Sequence, residues 1–340
     1  MRRPPIHLLV AIALVAASFS VGCGEKSEPG TAVARDKLTV ALDFYANPDH
    51  AGIYRAQDDG NFDDAGLDVK LTEPPPDDLS LPLKQAANGQ ADLAITYEPE
   101  VLLAREQGLD VVAVAALVQR PLTSLIYLRD NKKVRNVADL EGRRVATAGI
   151  AYQDAFLDSA LERAGVDPKS VRRVDVGSNL VKPLLSKRVD AVLGAFWNVE
   201  GEQLRLRKER AVVKPVDQIG VPRYDELVLV AGPKRLESKR EPIELFLAAL
   251  RRGTRAAAAD PSGTARILRK ANPDLERRLT AASLKVTLPV LNQTGGRPFG
   301  YLDPEAWDRF GAWMLDHELL KERPVTSDAI TNDLLPRGPR

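Results

Sequence analysis

Short apolar runs alternate with amphipathic stretches along most of the chain, a rhythm that predicts a parallel sheet covered by helices. Strands are expected at residues 38–43, 68–71, 91–96, 111–116 and 124–128, with helices at 51–59, 81–88 and 100–107 between them. The pattern then repeats, with strands at 144–148, 171–176 and 190–193 and helices at 151–164 and 180–187. Two further strands, 211–216 and 227–231, return the chain to the first unit. From Pro242 onward the chain reads as helical and rich in Ala and Arg, broken at Pro261, Pro273, Pro289 and Pro304. The predicted fold class is α/β, two lobes on a hinge with a cleft between. Residues 37–128 plus 229–340 would form lobe 1, and residues 129–228 lobe 2. No repeat of 20 to 50 residues is visible in the sequence, which speaks against a solenoid.

The first residues follow a different pattern. Arg2 and Arg3 precede the apolar run 8–19, and the small residues Ser20, Val21 and Gly22 lead into Cys23. A basic segment, a short apolar core and a small-residue site read as a secretory signal peptide over residues 1–22. About twelve apolar residues are too few to span a bilayer, which needs about 20. Cys23, the one cysteine in the chain, stands where a lipobox has its acylated residue, although Ser20 replaces the usual leucine. Lipidation there, followed by a polar tether over residues 23–36, would leave an extracytoplasmic protein anchored to the cell membrane. The other reading is an ordinary signal peptide with an incidental cysteine.

Composition removes whole classes of function. The 340 residues carry a formal net charge of +1, so no strong field is present to hold nucleic acid. The basic runs near 205–210, 234–240 and 251–255 read as solvated faces. A single cysteine excludes an internal disulfide or a thiolate metal cluster, and three histidines, of which His7 leaves with the signal, cannot build an ordinary zinc site. Neither glycine-rich phosphate loop is present, nor G-x-S-x-G, nor H-E-x-x-H. No cofactor is expected and enzyme readings start low.

In open α/β sheets ligands bind beyond the carboxyl ends of strands, so strand-end residues are the candidates. After the first strand, Phe44, Tyr45, Asn47, Asp49 and His50 precede a helix. Asp49 either caps that helix or contacts ligand, and Phe44 and Tyr45 are either core or a stacking surface. After the third strand come Tyr97, Glu98 and Glu100. The two acids are first-turn residues that favour the helix N-terminus; in the other reading, Tyr97 and Glu98 face the cleft. Helix starts at 149–154 and 177–179 offer backbone N–H groups, the second beside Asn179. Phe196, Trp197, Asn198 and Glu200 follow a later strand, combining two aromatics, an amide and an acid. Glu200 also fits the first turn of an exposed helix.

Four stretches carry a resemblance: LDFYANPDHAGIYRAQDDGNFDDAGLDVKL, ADLAITYEPEVLLAREQGLDVVAVAALVQRPLTSLIYL, VGSNLVKPLLSKRVDAVLGAFWNVEGEQL and GVPRYDELVLV. In this order and spacing they resemble the thiamine-precursor-binding family of type II periplasmic binding proteins. The resemblance covers roughly residues 38–230 and implies a monomeric carrier that hands a small heterocycle to an ABC permease and ATPase. It also implies aromatics stacked on an aminopyrimidine and a carboxylate paired with its amino group. Phe44 stands where the family usually has Trp. Asn47, Asp49 and His50 match the polar positions of the first lobe, Asn179, Asn198 and Glu200 those of the second, and Tyr97 and Glu98 follow. A related branch synthesises the pyrimidine from a lysine-bound pyridoxal phosphate and its own histidine. Thr96 and Glu100 occupy those two positions here, and the branch's cysteine-rich motif is missing. The alternatives are a carrier of sulfonate, taurine or nitrate, the pyrimidine synthase, and an exported structural or signalling protein that kept the fold.

Overall fold

The computed structural model describes residues 35–75, 78–131, 133–177, 179–291 and 295–336. The expected signal peptide, Cys23 and all but the last two residues of the expected tether lie outside these. The first lobe opens with β1 (Asp36–Ala41), α1 (Ala51–Asp58), β2 (Leu67–Thr72), α2 (Leu81–Ala87), β3 (Leu93–Thr96), α3 (Glu98–Glu106) and β4 (Val112–Val118). The second holds β5 (Thr123–Leu128), β6 (Arg144–Thr147), α4 (Ala151–Arg163), β7 (Arg172–Asp175), α5 (Val181–Leu185), β8 (Ala191–Phe196), α6 (Glu200–Leu206) and β9 (Ala211–Pro215). The chain then returns through β10 (Leu227–Ala231) to α7 (Pro233–Ser238), α8 (Arg240–Ala259), α9 (Pro261–Ala271), α10 (Arg277–Leu291), α11 (Pro304–Asp316) and α12 (Thr326–Ala329).

The sheets have matching topologies, β2-β1-β3-β10-β4 and β7-β6-β8-β5-β9. In each, the first three strands are parallel and the fourth runs against its neighbours. That antiparallel strand is in both cases the first one after a crossing between lobes. Its sequence accounts for its position. β5 and β10 are apolar or β-branched almost throughout and buried along their whole length, as a strand covered on both faces must be. Edge strand β2 alternates buried and exposed positions over its first four residues.

Both lobe boundaries differ from expectation, and the strand expected at 211–216 to return the chain to the first unit is β9 of the second sheet instead, because it pairs with β5. Residues 124–128 were assigned to the first lobe, yet β5 pairs with β8 and β9 in the second sheet. Residues 227–228, assigned to the second lobe, begin β10 of the first sheet. The lobes therefore divide at the crossings 119–122 and 216–226, because hydrogen-bond partners and not strand order decide which sheet a strand joins.

The helices packed on the first sheet fix the loop that follows β1. α1 and α8 cross where Gly52 faces Thr254 and Gly253 faces Gly52; a Cβ on Gly253 would collide with the Gly52 carbonyl. This close approach anchors α1 immediately after Asp49 and His50. Asn47 caps the short 3-10 turn at Pro48–His50 by accepting from the Asp49 amide at 2.8 Å. Asp49 is therefore not the capping residue, and its carboxylate is left for other partners.

A buried carboxylate joins the two crossings. Glu226 accepts from the Leu122 amide at 2.6 Å, the Thr123 amide at 2.8 Å, the Thr123 hydroxyl at 3.0 Å and the Tyr224 hydroxyl at 2.9 Å. Trp197, at the end of β8, adds bonds from its backbone and indole N–H groups to Leu122 and Pro121 carbonyls, both 3.0 Å.

Candidate functional site

The parallel strands of both sheets end on one cavity of about 170 Å3 between the lobes. Asp43, Phe44, Asn47 and Asp49 reach it from the loop after β1, and Tyr97 and Glu100 from the end of β3. The second lobe contributes Tyr152 and Gln153 from α4, and Phe196, Val199 and Glu200 from the end of β8. Thr123 joins them from the start of β5.

Backbone geometry aims the β8 segment. Gly194 has φ +105° and interrupts the register between β8 and β5, an extra residue bulged out of the ladder. A Cβ there would come within 2.7 Å of the Gln153 amide, so the close approach requires glycine. β8 runs on through this bulge to Phe196, three residues beyond its expected end.

The cavity wall is acidic. Among the described residues Asp43, Asp49, Glu100 and Glu200 line it, and none of the lining residues is Lys, Arg or His. Both Asp43 oxygens are engaged, one by the His50 ring at 2.8 Å and the other by the Tyr97 hydroxyl at 2.7 Å. Burial alone would push the Asp43 carboxyl up, but these partners outweigh it and hold the group below its ordinary range. Glu100 receives one bond, from the Thr96 hydroxyl at 2.6 Å. Burial pushes it to about 7, with the Asp43 and Glu226 charges adding to the rise and Thr96 opposing it. Asp49 also reaches about 7 through burial, opposed by His50 and by the bond from Asn198. Burial raises Glu200 as well, and its bond from the Phe196 amide at 2.8 Å limits the rise.

Six of the expected residues thus meet at the cavity: Phe44, Asn47, Asp49, Tyr97, Phe196 and Glu200. Five do not line it. Glu98 points the other way, accepting from the Asp225 amide at 2.6 Å beside Trp307, whose indole donates to the Asp225 carboxylate at 2.9 Å. Asn179 is exposed and accepts from the Lys182 amide at the start of α5. Trp197 packs on the crossing under the Arg120 guanidinium, 5.6 Å from its ring. His50 stands behind Asp43, and Asn198 lies buried behind the wall.

Comparison with known proteins gives the family. Residues 47–264 match the model described as NMT1/THI5 like. A formylaminopyrimidine-binding protein of Halalkalibacterium halodurans is 33% identical over 96% of this chain and 97% of its own. The chain belongs to the NMT1/THI5-like family. A Haemophilus influenzae protein named for thiamine biosynthesis is 37% identical over 76% of this chain and 81% of its own. More distant relatives bear the name 4-amino-5-hydroxymethyl-2-methylpyrimidine phosphate synthase. The Legionella pneumophila one is 25% identical over 90% of this chain and 94% of its own. Among solved structures, the alkanesulfonate-binding protein SsuA from Xanthomonas axonopodis pv. citri superposes with a TM-score of 0.67 at 16% identity. That match covers 88% of this chain and 99% of that one. The fold is that of the type II periplasmic binding proteins.

In this NMT1/THI5-like chain, Asp43, Glu100, Thr123, Tyr152 and Gln153 line the cavity without having been singled out for it. Helix geometry held a signal for Glu100. Glu98 and Glu100 both stand in the first turn of α3, where two positions differ by about 200° around the axis. Only one of them can face the strand ends. For Tyr152 and Gln153 the signal is their place in the first turn of α4 after a parallel strand, where side chains as well as backbone N–H groups reach the strand ends.

Burial raises Glu98 well above the ordinary carboxylate range, with the Asp225 charge adding to the rise, and lifts Asp225 to about 7. Acids raised by folding stabilise below their unfolded values and lose that contribution as pH climbs through the folded ones. Melting temperature should therefore fall as pH rises from about 4 to beyond 7, and Glu98→Gln should flatten that decline without changing ligand affinity. An unchanged decline, or a loss of affinity, would contradict the assignment of Glu98 to the core.

Proposed function

We propose that the protein is the extracytoplasmic substrate-binding component of an ABC importer, and that its cavity takes an aminopyrimidine precursor of thiamine. The observation that carries this reading is a small cleft cavity whose described residues give it aromatic walls, four carboxylates and no basic side chain. Its volume of about 170 Å3 suits a single ring; a cavity of roughly 150 Å3 accepts one benzene. Phe44, Tyr97, Tyr152 and Phe196 supply faces or edges for a flat heterocycle. A 4-aminopyrimidine offers an exocyclic amino group beside a ring nitrogen, and when that nitrogen is protonated a carboxylate accepts from both in parallel. Glu200 is the acid assigned to this pairing. A sulfonate or nitrate would meet four acids and no cation, which disfavours the anion-carrier reading. The name and the long overlap of the formylaminopyrimidine-binding relative support the aminopyrimidine reading. Against the synthase reading stands the wall itself, whose described residues include no lysine to form a Schiff base with a cofactor.

Delivery to a permease requires the carrier to stay near the membrane, and Cys23 is proposed as its acylated anchor. Among the described residues no helix is long and apolar enough to cross a membrane. Cys23→Ser should move the protein from the membrane fraction to the soluble one with ligand affinity intact; an unchanged membrane fraction would remove the anchor.

Calorimetry with 4-amino-5-hydroxymethyl-2-methylpyrimidine, its formylaminomethyl analogue and taurine tests the ligand. Either pyrimidine should bind and taurine should not. Glu200→Gln should weaken pyrimidine binding by roughly 1.5–3 kcal/mol, the worth of a bond to a charged group. Taurine binding without pyrimidine binding would overturn the reading, and an unchanged affinity in the variant would take Glu200 out of the contact.

A further inference from the structure

Asn198 lies fully buried in the loop between β8 and α6 of the second lobe. Its side-chain amide donates to Asp49 Oδ1 at 2.6 Å and to Thr287 Oγ1 at 2.8 Å. Both acceptors belong to the first lobe, Asp49 to the turn after β1 and Thr287 to α10, whose Leu284 and Leu288 pack in the same core as β1. An amide nitrogen has two protons, so this donor is fully used across the boundary.

The neighbours of Asn198 give the bond its meaning. Phe196, Val199 and Glu200 line the cavity from the second lobe, and Asp49 lines it from the first. The bond therefore ties the two walls together from behind, touching the cavity itself only through Asp49. His50 and Asn198 both favour the charged form of Asp49, whereas burial and the charges of Asp43 and Glu200 disfavour it. Without the Asn198 donor, that buried carboxylate would lose a charge-assisted bond.

We propose that Asn198 is a positioning residue that latches the lobes. By holding Asp49 and the segment 196–200 in one relative placement, it makes the contacts of both walls available to a ligand together. The latch rests on the cavity being the binding site, but its first test requires no ligand.

Spin labels at exposed Arg207 in the second lobe and Arg255 in the first, in a Cys23→Ser background, report the distance between lobes. The unliganded parent should give a narrow distribution, and Asn198→Ala a broader and longer one. Thr287→Val, which keeps the volume and removes one acceptor, should broaden it less and should add little to Asn198→Ala. A distribution unchanged in both variants overturns the latch whether or not a pyrimidine binds. With 4-amino-5-hydroxymethyl-2-methylpyrimidine as probe, Asn198→Ala should lose about tenfold or more in affinity, the size of one bond to a charged group. The loss should be smaller in an Asp49→Ala background, where that acceptor is gone and only the bond to Thr287 remains to be lost. An equal loss in both backgrounds would show that Asn198 does not act through Asp49 and would also overturn the proposal.

Discussion

Two strands of chain cross between the lobes, and the Glu226 carboxylate holds both of them through four donors. Everything at the cavity depends on that junction. It lets the first strand after each crossing enter its own sheet antiparallel between two neighbours, and it fixes the angle at which two sets of strand ends face one another. Burying the carboxylate is costly, and burial pushes its proton affinity up while the four donors oppose the rise. A neutral apolar residue would avoid the desolvation cost but would leave two buried backbone N–H groups without acceptors. The acid supplies the acceptors that those two N–H groups use.

The same opposition of burial and hydrogen bonding recurs at the cavity wall. Asp43 has two partners and stays acidic, whereas Glu100 has one and reaches about 7. The wall therefore presents acids whose charges the protein compensates incompletely. A ligand with several N–H donors and a protonatable ring nitrogen supplies what the wall lacks. An anion would add to the repulsion. Specificity in this account comes from the difference between those two outcomes more than from the fit of the ring.

Much of the fold was legible because buried central strands and amphipathic helices leave strong periodic signals. The placement of β5 was not, since a strand buried on both faces carries no mark of which sheet will accept it. The site was legible to the level of loops. The loops after β1 and β8 were found from the rule that ligands lie beyond strand ends, and the cavity opens on both. Side-chain direction within a loop was not legible in the same way. Phe196, Val199 and Glu200 face the cavity while Trp197 and Asn198 between them turn to the crossing and to the other lobe. Such alternation follows from the Gly194 bulge, which no composition or spacing rule places in advance. Asn198 shows the consequence: an amide expected to touch ligand is used instead to bind one wall to the other.

The central claim is that the cavity carries an aminopyrimidine and leaves it chemically unaltered. Native mass spectrometry of the protein incubated with excess 4-amino-5-hydroxymethyl-2-methylpyrimidine, with and without pyridoxal phosphate, tests it most directly. The account predicts one pyrimidine retained per chain in both conditions, released at its original mass when the protein unfolds. Failure to retain the pyrimidine, or a covalent adduct or altered product in the presence of pyridoxal phosphate, would contradict it.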